Sequence, residues 1–180
     1  MSTGPGAGPG RRVALLRGVN VGGVTVKSGP LAEVFRSLGF QDVTTVLASG
    51  NVLFSGGGSD AQTKPMIEKA LADAFGYDAW IILTDQAALR SVVDGYPFDE
   101  LPERQPYVVF ASENAPLDAL LHVAGADPGR ERVARGDGVL YWEVTRGMST
   151  DTPVAKELAK KRHKQTTTTR NLRTLRKLLL

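Results

Sequence analysis

The hydrophobic periods of this chain run through one order twice: strand, helix, strand, strand, helix, strand. That repetition limits the fold more than any single motif does. Residues 13–19 read as a strand, after which Leu31, Val34, Phe35 and Leu38 recur at helical spacing. Ser28 suits an N-cap, Pro30 the first turn and Gly39 the stop. The stretch TTVLASGNVLFS predicts two strands about a Ser49-Gly50 turn. Beyond the glycine-rich GGGSD link, Ile67, Ala70, Leu71, Ala74 and Phe75 mark a second helix ended by Gly76, and AWIILT is a buried strand.

The second passage begins after Asp85, which is expected to cap a helix carrying Leu89, Val92 and Val93 and stopped by Gly95. YPFDELPERQP holds three prolines and reads as a linker. YVVFAS is a strand over 107–112, and Pro116 opens a short helix with Leu117, Leu120 and Leu121. RERVARGDGVLYWEVT folds back on an Asp-Gly turn, a strong hairpin signal. Thr152-Pro153 starts a helix, β-branched QTTTT forms a last strand, and Leu172, Leu175, Leu178 and Leu179 line a terminal helix. The expected class is α+β: two ferredoxin-like βαββαβ units, an internal duplication with antiparallel sheets, plus a C-terminal helix. The expected divisions are a disordered Gly/Pro-rich start at 1–11, a first subdomain at 12–95, a linker at 96–105, and a second subdomain at 106–180 with the basic terminal helix.

A chain of 180 residues, 42% of them hydrophobic, can bury cores of this kind. No apolar run approaches the roughly 20 residues of a membrane helix, and MSTGPGAGPG lacks the apolar segment of a signal peptide. The absence of cysteine excludes disulfides, thiolate zinc sites and cysteine nucleophiles. A cytoplasmic protein without membrane association is expected, and no oligomeric state is indicated. The net charge of +3 is unevenly spread: residues 156–180 carry nine basic side chains against Glu157 alone. That asymmetry fits either an anionic partner or a solvated, lysine-rich face.

Candidate chemistry concentrates in RRVALLRGVNVGG. Gly18 and Gly23 have the spacing of a P-loop, but Val24-Thr25 stands where Lys and Ser/Thr are required. The dinucleotide fingerprint G-x-G-x-x-G is absent as well, so no cofactor is implied. What remains is a strand end followed by Arg17, Gly18, Asn20, Gly22 and Gly23. Glycines let backbone N–H groups turn toward an anion and an arginine adds a fork of donors. The same residues also suit an ordinary turn. Elsewhere His122 is expected to be a partly buried structural residue and His163, within KKRHK, to be solvated. The two have no metal-ligand spacing. Ser49 lies in no nucleophile elbow, and the acids of DELPE read as exposed. Tyr107, Phe110, Tyr141 and Trp142 are expected to fill the core rather than stack on RNA, for which the aromatic signature is missing.

VALLRGVNVGG, LGFQDVTTVLASGNVLFS, AFGYDAWIILT and TTTTRN, in this order over roughly residues 12–178, resemble a bacterial family known as domain of unknown function 1697. The resemblance implies an α+β fold of two ferredoxin-like halves and no established activity. The matching positions are Arg17, Gly18, Asn20, Gly22, Gly23, Ser49, Gly50, Asn51, Arg170 and Asn171. Ala48 stands where the family usually has Gln, and Leu172 where it usually has Trp, which removes an aromatic platform. In a split βαββαβ unit the first strand pairs with the third, so Arg17 should lie beside Asn51. The expected function is binding of a small anionic or phosphate-bearing ligand by Arg17, Asn20, Gly22, Gly23, Ser49 and Asn51, with Arg170 and Asn171 at the rim. The alternatives are an enzyme acting on such a ligand at the same loops and an RNA- or DNA-binding module using the basic tail. In a plainer reading Asn51 only ties down the Arg17 loop.

Overall fold

A computed structural model describes residues 10–17, 25–47 and 50–180 of the chain. The first unit runs β1 (Arg12–Arg17), α1 (Ser28–Ser37), β2 (Gln41–Thr45), β3 (Asn51–Ser55), α2 (Asp60–Phe75) and β4 (Trp80–Asp85). Its sheet has the order β2-β3-β1-β4, antiparallel at every pairing. After α3 (Gln86–Asp94), the second unit runs β5 (Arg104–Ala111), α4 (Asn114–Ala124), β6 (Glu131–Arg135), β7 (Val139–Thr145), α5 (Pro153–Leu158) and β8 (Thr167–Asn171). Its sheet repeats the order as β6-β7-β5-β8, and α6 (Leu172–Lys177) follows. The α+β class and the duplicated ferredoxin-like units follow from this topology. Among the described residues no helix is long and apolar enough to cross a membrane.

Strand alternation divides the apolar residues among three layers. Ala14 and Leu16 of β1 pack under α1 and α2, with Leu31, Phe35, Phe54, Ile67 and Leu71. Val109 of β5, with Leu140 and Trp142, packs under α4 and α5. The opposite faces, Val13 and Leu15 of one sheet and Val108 and Phe110 of the other, share a middle layer with Leu89 of α3, Leu172 and Leu175 of α6, and Leu178 just after it. The four rings singled out in the sequence all serve these cores: Phe110, Tyr141 and Trp142 are buried, and Tyr107 packs at the edge.

Several local signals act as read. Asp85 accepts from the Ala88 N–H at 2.8 Å, Thr152 accepts from Ala155 N–H at 3.3 Å, and Gly39 and Gly76 end their helices at positive φ. Other details differ. Lys27, not Ser28, occupies the cap position of α1. β5 starts at Arg104 and so runs through Pro106, which the sequence reading left outside the strand. There Pro106 pairs with Glu143 of β7, while the pairing with β8 begins only at Tyr107. A residue without an N–H is tolerated where one side of the strand is unpaired. β2 carries a register shift between Gln41 and Thr44, with Asp42 at a φ of 51° and the Arg11 guanidinium on its carbonyl.

Both histidines reverse expectation. His122 is exposed on α4, because the buried face there is taken by Leu117, Leu120 and Ala124. His163 is buried, with its Nε2 2.9 Å from a Glu157 carboxylate oxygen. A short 3-10 turn, Lys161–His163, aims the imidazole inward while the neighbouring cations stay at the surface. Glu157 is buried and engaged by Lys160 at 2.6 Å and by Arg162. Lys160, His163 and Arg162 hold its carboxyl well below its ordinary value, at about 2. A carboxyl depressed in the folded state stabilises it fully above the unfolded pKa and loses that contribution as pH falls through the folded one. The melting temperature should therefore drop between about pH 4.5 and pH 2, and Glu157→Gln should flatten that limb while lowering the value at pH 7 by several degrees. Circular dichroism melts across the range measure it, and identical acid limbs in both proteins would refute it.

Candidate functional site: a cationic corner between the sheets

β8 is an edge strand of its own sheet and lies beside β1 and β4 of the other. Alternation turns Arg170 and Thr168 toward the middle layer, since their partners Val108 and Phe110 face it. The guanidinium therefore crosses from one sheet to the other. Its Nε donates to Asn51 Oδ1 at 2.6 Å, Nη1 to Thr168 Oγ1 at 2.7 Å and to the Thr169 carbonyl at 3.0 Å. Nη2 donates to the carbonyls of Leu16 at 2.8 Å and Gly50 at 3.3 Å. These two carbonyls sit where the β1–β3 ladder ends, at the Leu16 N–H to Gly50 bond of 2.9 Å. Thr168 Oγ1 donates in turn to Leu16 O at 3.4 Å.

Asn51 is fully buried at the start of β3, opposite Leu15 in the register. Its Nδ2 donates to the Val46 carbonyl at 3.0 Å, and its own carbonyl accepts from Val46 N–H at 2.9 Å. Asn51 thus holds the β2–β3 connection on one side and Arg170 on the other. Arg17 ends β1 opposite Trp80, on the same face as Val13 and Leu15. The expected approach of β1's end to β3's start is present, and both Arg17 and Asn51 face the middle layer.

The two arginines make an unusual electrostatic pair. Every acceptor named for Arg170 is an uncharged oxygen, although the side chain is almost wholly buried. Burial foremost, and then the charge of Arg17, lower its pKa to about 10. Arg17 is half-buried, and burial lowers its pKa as well. No acceptor or carboxylate among the described residues holds it. The stretches 18–24 and 48–49, which adjoin this corner in sequence, contain no acidic residue. Arg12 offers the contrast. It too is buried, but it pairs with Asp60 while donating to Gly56 O at 3.2 Å, Gly58 O at 3.1 Å and Thr63 Oγ1 at 3.2 Å. That arginine is neutralised and structural.

The duplication supplies a second comparison. Val13 and Leu15 correspond in position to Val108 and Phe110. By register Asn51 then corresponds to Val139, Arg170 to Thr84, and Thr168 to Ile82. The equivalent corner is a cleft of about 460 Å³ lined by Ile82, Thr84, Phe110 and Val139, without any arginine. The paired cations belong to one corner alone.

Of the residues singled out in the sequence, Arg17, Asn51 and Arg170 come together. Asn171 does different work: its Oδ1 accepts from Arg173 N–H at 2.8 Å and caps α6. Alternation along β8 turns it away from Arg170. Gly18, Asn20, Gly22, Gly23 and Ser49 lie outside the described residues. Sequence reasoning missed Thr168 and the carbonyls of Leu16 and Gly50. The spacing of two between Thr168 and Arg170 on a strand was the available signal for the first; backbone acceptors leave none.

The chain belongs to the family described as protein of unknown function (DUF1697), whose sequence profile matches residues 10–141. The match includes Arg17 and Asn51 and ends before β8. Among solved structures the chain is similar to the conserved bacterial protein SP0830 from Streptococcus pneumoniae, at 23% identity and a TM-score of 0.71, over 93% of this chain and 96% of that one. This likeness concerns the fold alone. An unknown protein from Galdieria sulphuraria aligns over 90% of this chain and 96% of its own, at 11% identity and a TM-score of 0.27, too low to carry an argument. No curated protein matches the chain.

The geometry predicts unequal stability effects for the two arginines. Arg170→Ala strips buried acceptors of their donor and should cost about 3 kcal/mol, or roughly 6–12 °C in melting temperature. Arg17→Ala removes a half-buried cation that nothing in the described structure holds, and it should leave melting within about 2 °C of the parent. Thermal denaturation of the two variants is the measurement, and equal losses would contradict the division of roles.

Proposed function

We propose that this chain binds a small anionic or phosphate-bearing ligand at the corner where β1, β3 and β8 meet. The observation that carries the reading is the Arg17 guanidinium, half-buried beside Arg170 with no acceptor among the described residues. Placing a cation out of water is unfavourable unless it is matched, and a second cation nearby adds repulsion. An anion relieves both terms. Arg17 then supplies the direct contact, and Asn51 and Arg170 supply a rigid, positively charged floor. Asn20, Gly22, Gly23 and Ser49, close to Arg17 and Asn51 in sequence, are proposed as further donors. Asn171 is left to its helix.

Binding is favoured over turnover because no carboxylate or imidazole among the described residues is hydrogen-bonded to Arg17, so no general base is supplied there. A nucleic-acid surface is disfavoured because part of the basic segment is engaged: Lys160 and Arg162 are bound to Glu157, Arg176 is bidentate on Glu100 at 2.8 and 2.7 Å, and Phe110, Tyr141 and Trp142 lie in the cores. The setting proposed is the cytoplasm, as for a chain without cysteine.

The test is a thermal-shift titration with inorganic phosphate and sulfate on the parent protein and on Arg17→Ala. At a concentration about a hundredfold above Kd the parent gains about 2.7 kcal/mol, several degrees, and the variant gains nothing. Absence of stabilisation in the parent, or its survival in the variant, would sink the proposal. Filter binding of DNA and RNA from low to moderate salt should be feeble throughout. Sub-micromolar binding at physiological salt, with a log–log slope of several units, would favour the basic segment instead.

A further inference from the structure

The bonding of Arg170 narrows the kind of anion that the corner accepts. A guanidinium has five N–H donors, one on Nε and two on each terminal nitrogen. Among the described residues, acceptors already meet all five: Asn51 Oδ1, Thr168 Oγ1 and the carbonyls of Thr169, Leu16 and Gly50. An arriving ligand therefore gains positive charge from Arg170 but no hydrogen bond. Arg17 is the reverse case: its fork is uncommitted among the described residues and can take two oxygens of one group side by side. The site thus combines one fork with two charges.

We infer that the corner selects a phosphomonoester bound as its dianion and discriminates against phosphodiesters. This rests on the proposed anion site. A phosphodiester carries one negative charge and can satisfy the Arg17 fork as well as a monoester does, but its single charge cannot balance two neighbouring cations. An uncompensated charge in a partly desolvated place is costly, and its field acts without contact. A monoester dianion matches both charges while its third oxygen remains for other donors. The equivalent corner, with Thr84 and Val139 in place of Arg170 and Asn51, offers neither the charge nor the donor network.

The probes are methyl phosphate, dimethyl phosphate and inorganic sulfate, titrated calorimetrically into the full chain at pH 5 and pH 8. With a second pKa of about 6, the monoester is about one-tenth dianion at pH 5 and almost wholly dianion at pH 8. Methyl phosphate should bind about tenfold more tightly at pH 8 than at pH 5, and at pH 8 about tenfold or more above dimethyl phosphate. Sulfate, a dianion at both pH values, should show no such change, which separates ligand titration from protein titration. Arg17→Gln, a change at a side chain without a structural partner among the described residues, should abolish binding of all three. Equal affinities for the two esters, or pH-independent binding of methyl phosphate, would overturn the inference while leaving the anion site in place. Failure of sulfate and both esters to bind would overturn both, as would undiminished binding to Arg17→Gln.

Discussion

The structure depends on one buried guanidinium. Arg170 reaches out of the second sheet and supplies donors to carbonyls of the first, at the point where the β1–β3 ladder ends. Buried acceptors left short of donors are costly. Asn51, 119 residues away in sequence, completes the arrangement by tying the same guanidinium to the β2–β3 connection. The link is polar at the margin of an otherwise apolar contact. It therefore sets how the two sheets meet, whereas the apolar layer sets how strongly.

That layer explains why the two units are not independent. Each sheet has one face under its own pair of helices, and the other face would be an exposed apolar surface in isolation. Val13 and Leu15 meet Val108 and Phe110 across a layer that α3 and α6 complete. Contiguous apolar surfaces of this extent are seldom left to solvent. The basic C-terminal segment is accordingly no appendage. It contributes the edge strand β8, the leucines of α6 and Arg170 itself, and its exposed lysines and arginines are the outward side of a packed element.

Much of the fold was legible because it rests on local chemistry. Alternation, helical spacing, Asp85, Thr152-Pro153 and the Asp-Gly turn all act within a few residues, and each appears in its expected role. Where sequence reasoning failed, a partner outside the local pattern decides. Pro106 joins a strand because β8 stops short of it; His163 is drawn from a charge run into the interior by Glu157. The candidate site was legible in half. Strand pairing alone places Arg17 near Asn51. That Arg170 bonds Asn51 and the Leu16 carbonyl depends on contacts spanning more than a hundred residues that no local pattern encodes. Asn171 shows the opposite error: a residue preceding a leucine-rich helix is a cap by local rule, and its adjacency to Arg170 in sequence suggested a shared role that alternation forbids.

The duplicated topology offers two equivalent corners, yet the residues there have diverged: asparagine against valine, arginine against threonine. Copying a fold copies its geometry, not its charges. A tandem repeat that had kept both corners alike would carry two equal ligand places per chain and could show cooperativity between them. For the anion site proposed above, a single cationic corner implies one ligand per chain and simple hyperbolic saturation, while the second copy contributes β8 and its arginine to a corner that neither copy could build alone.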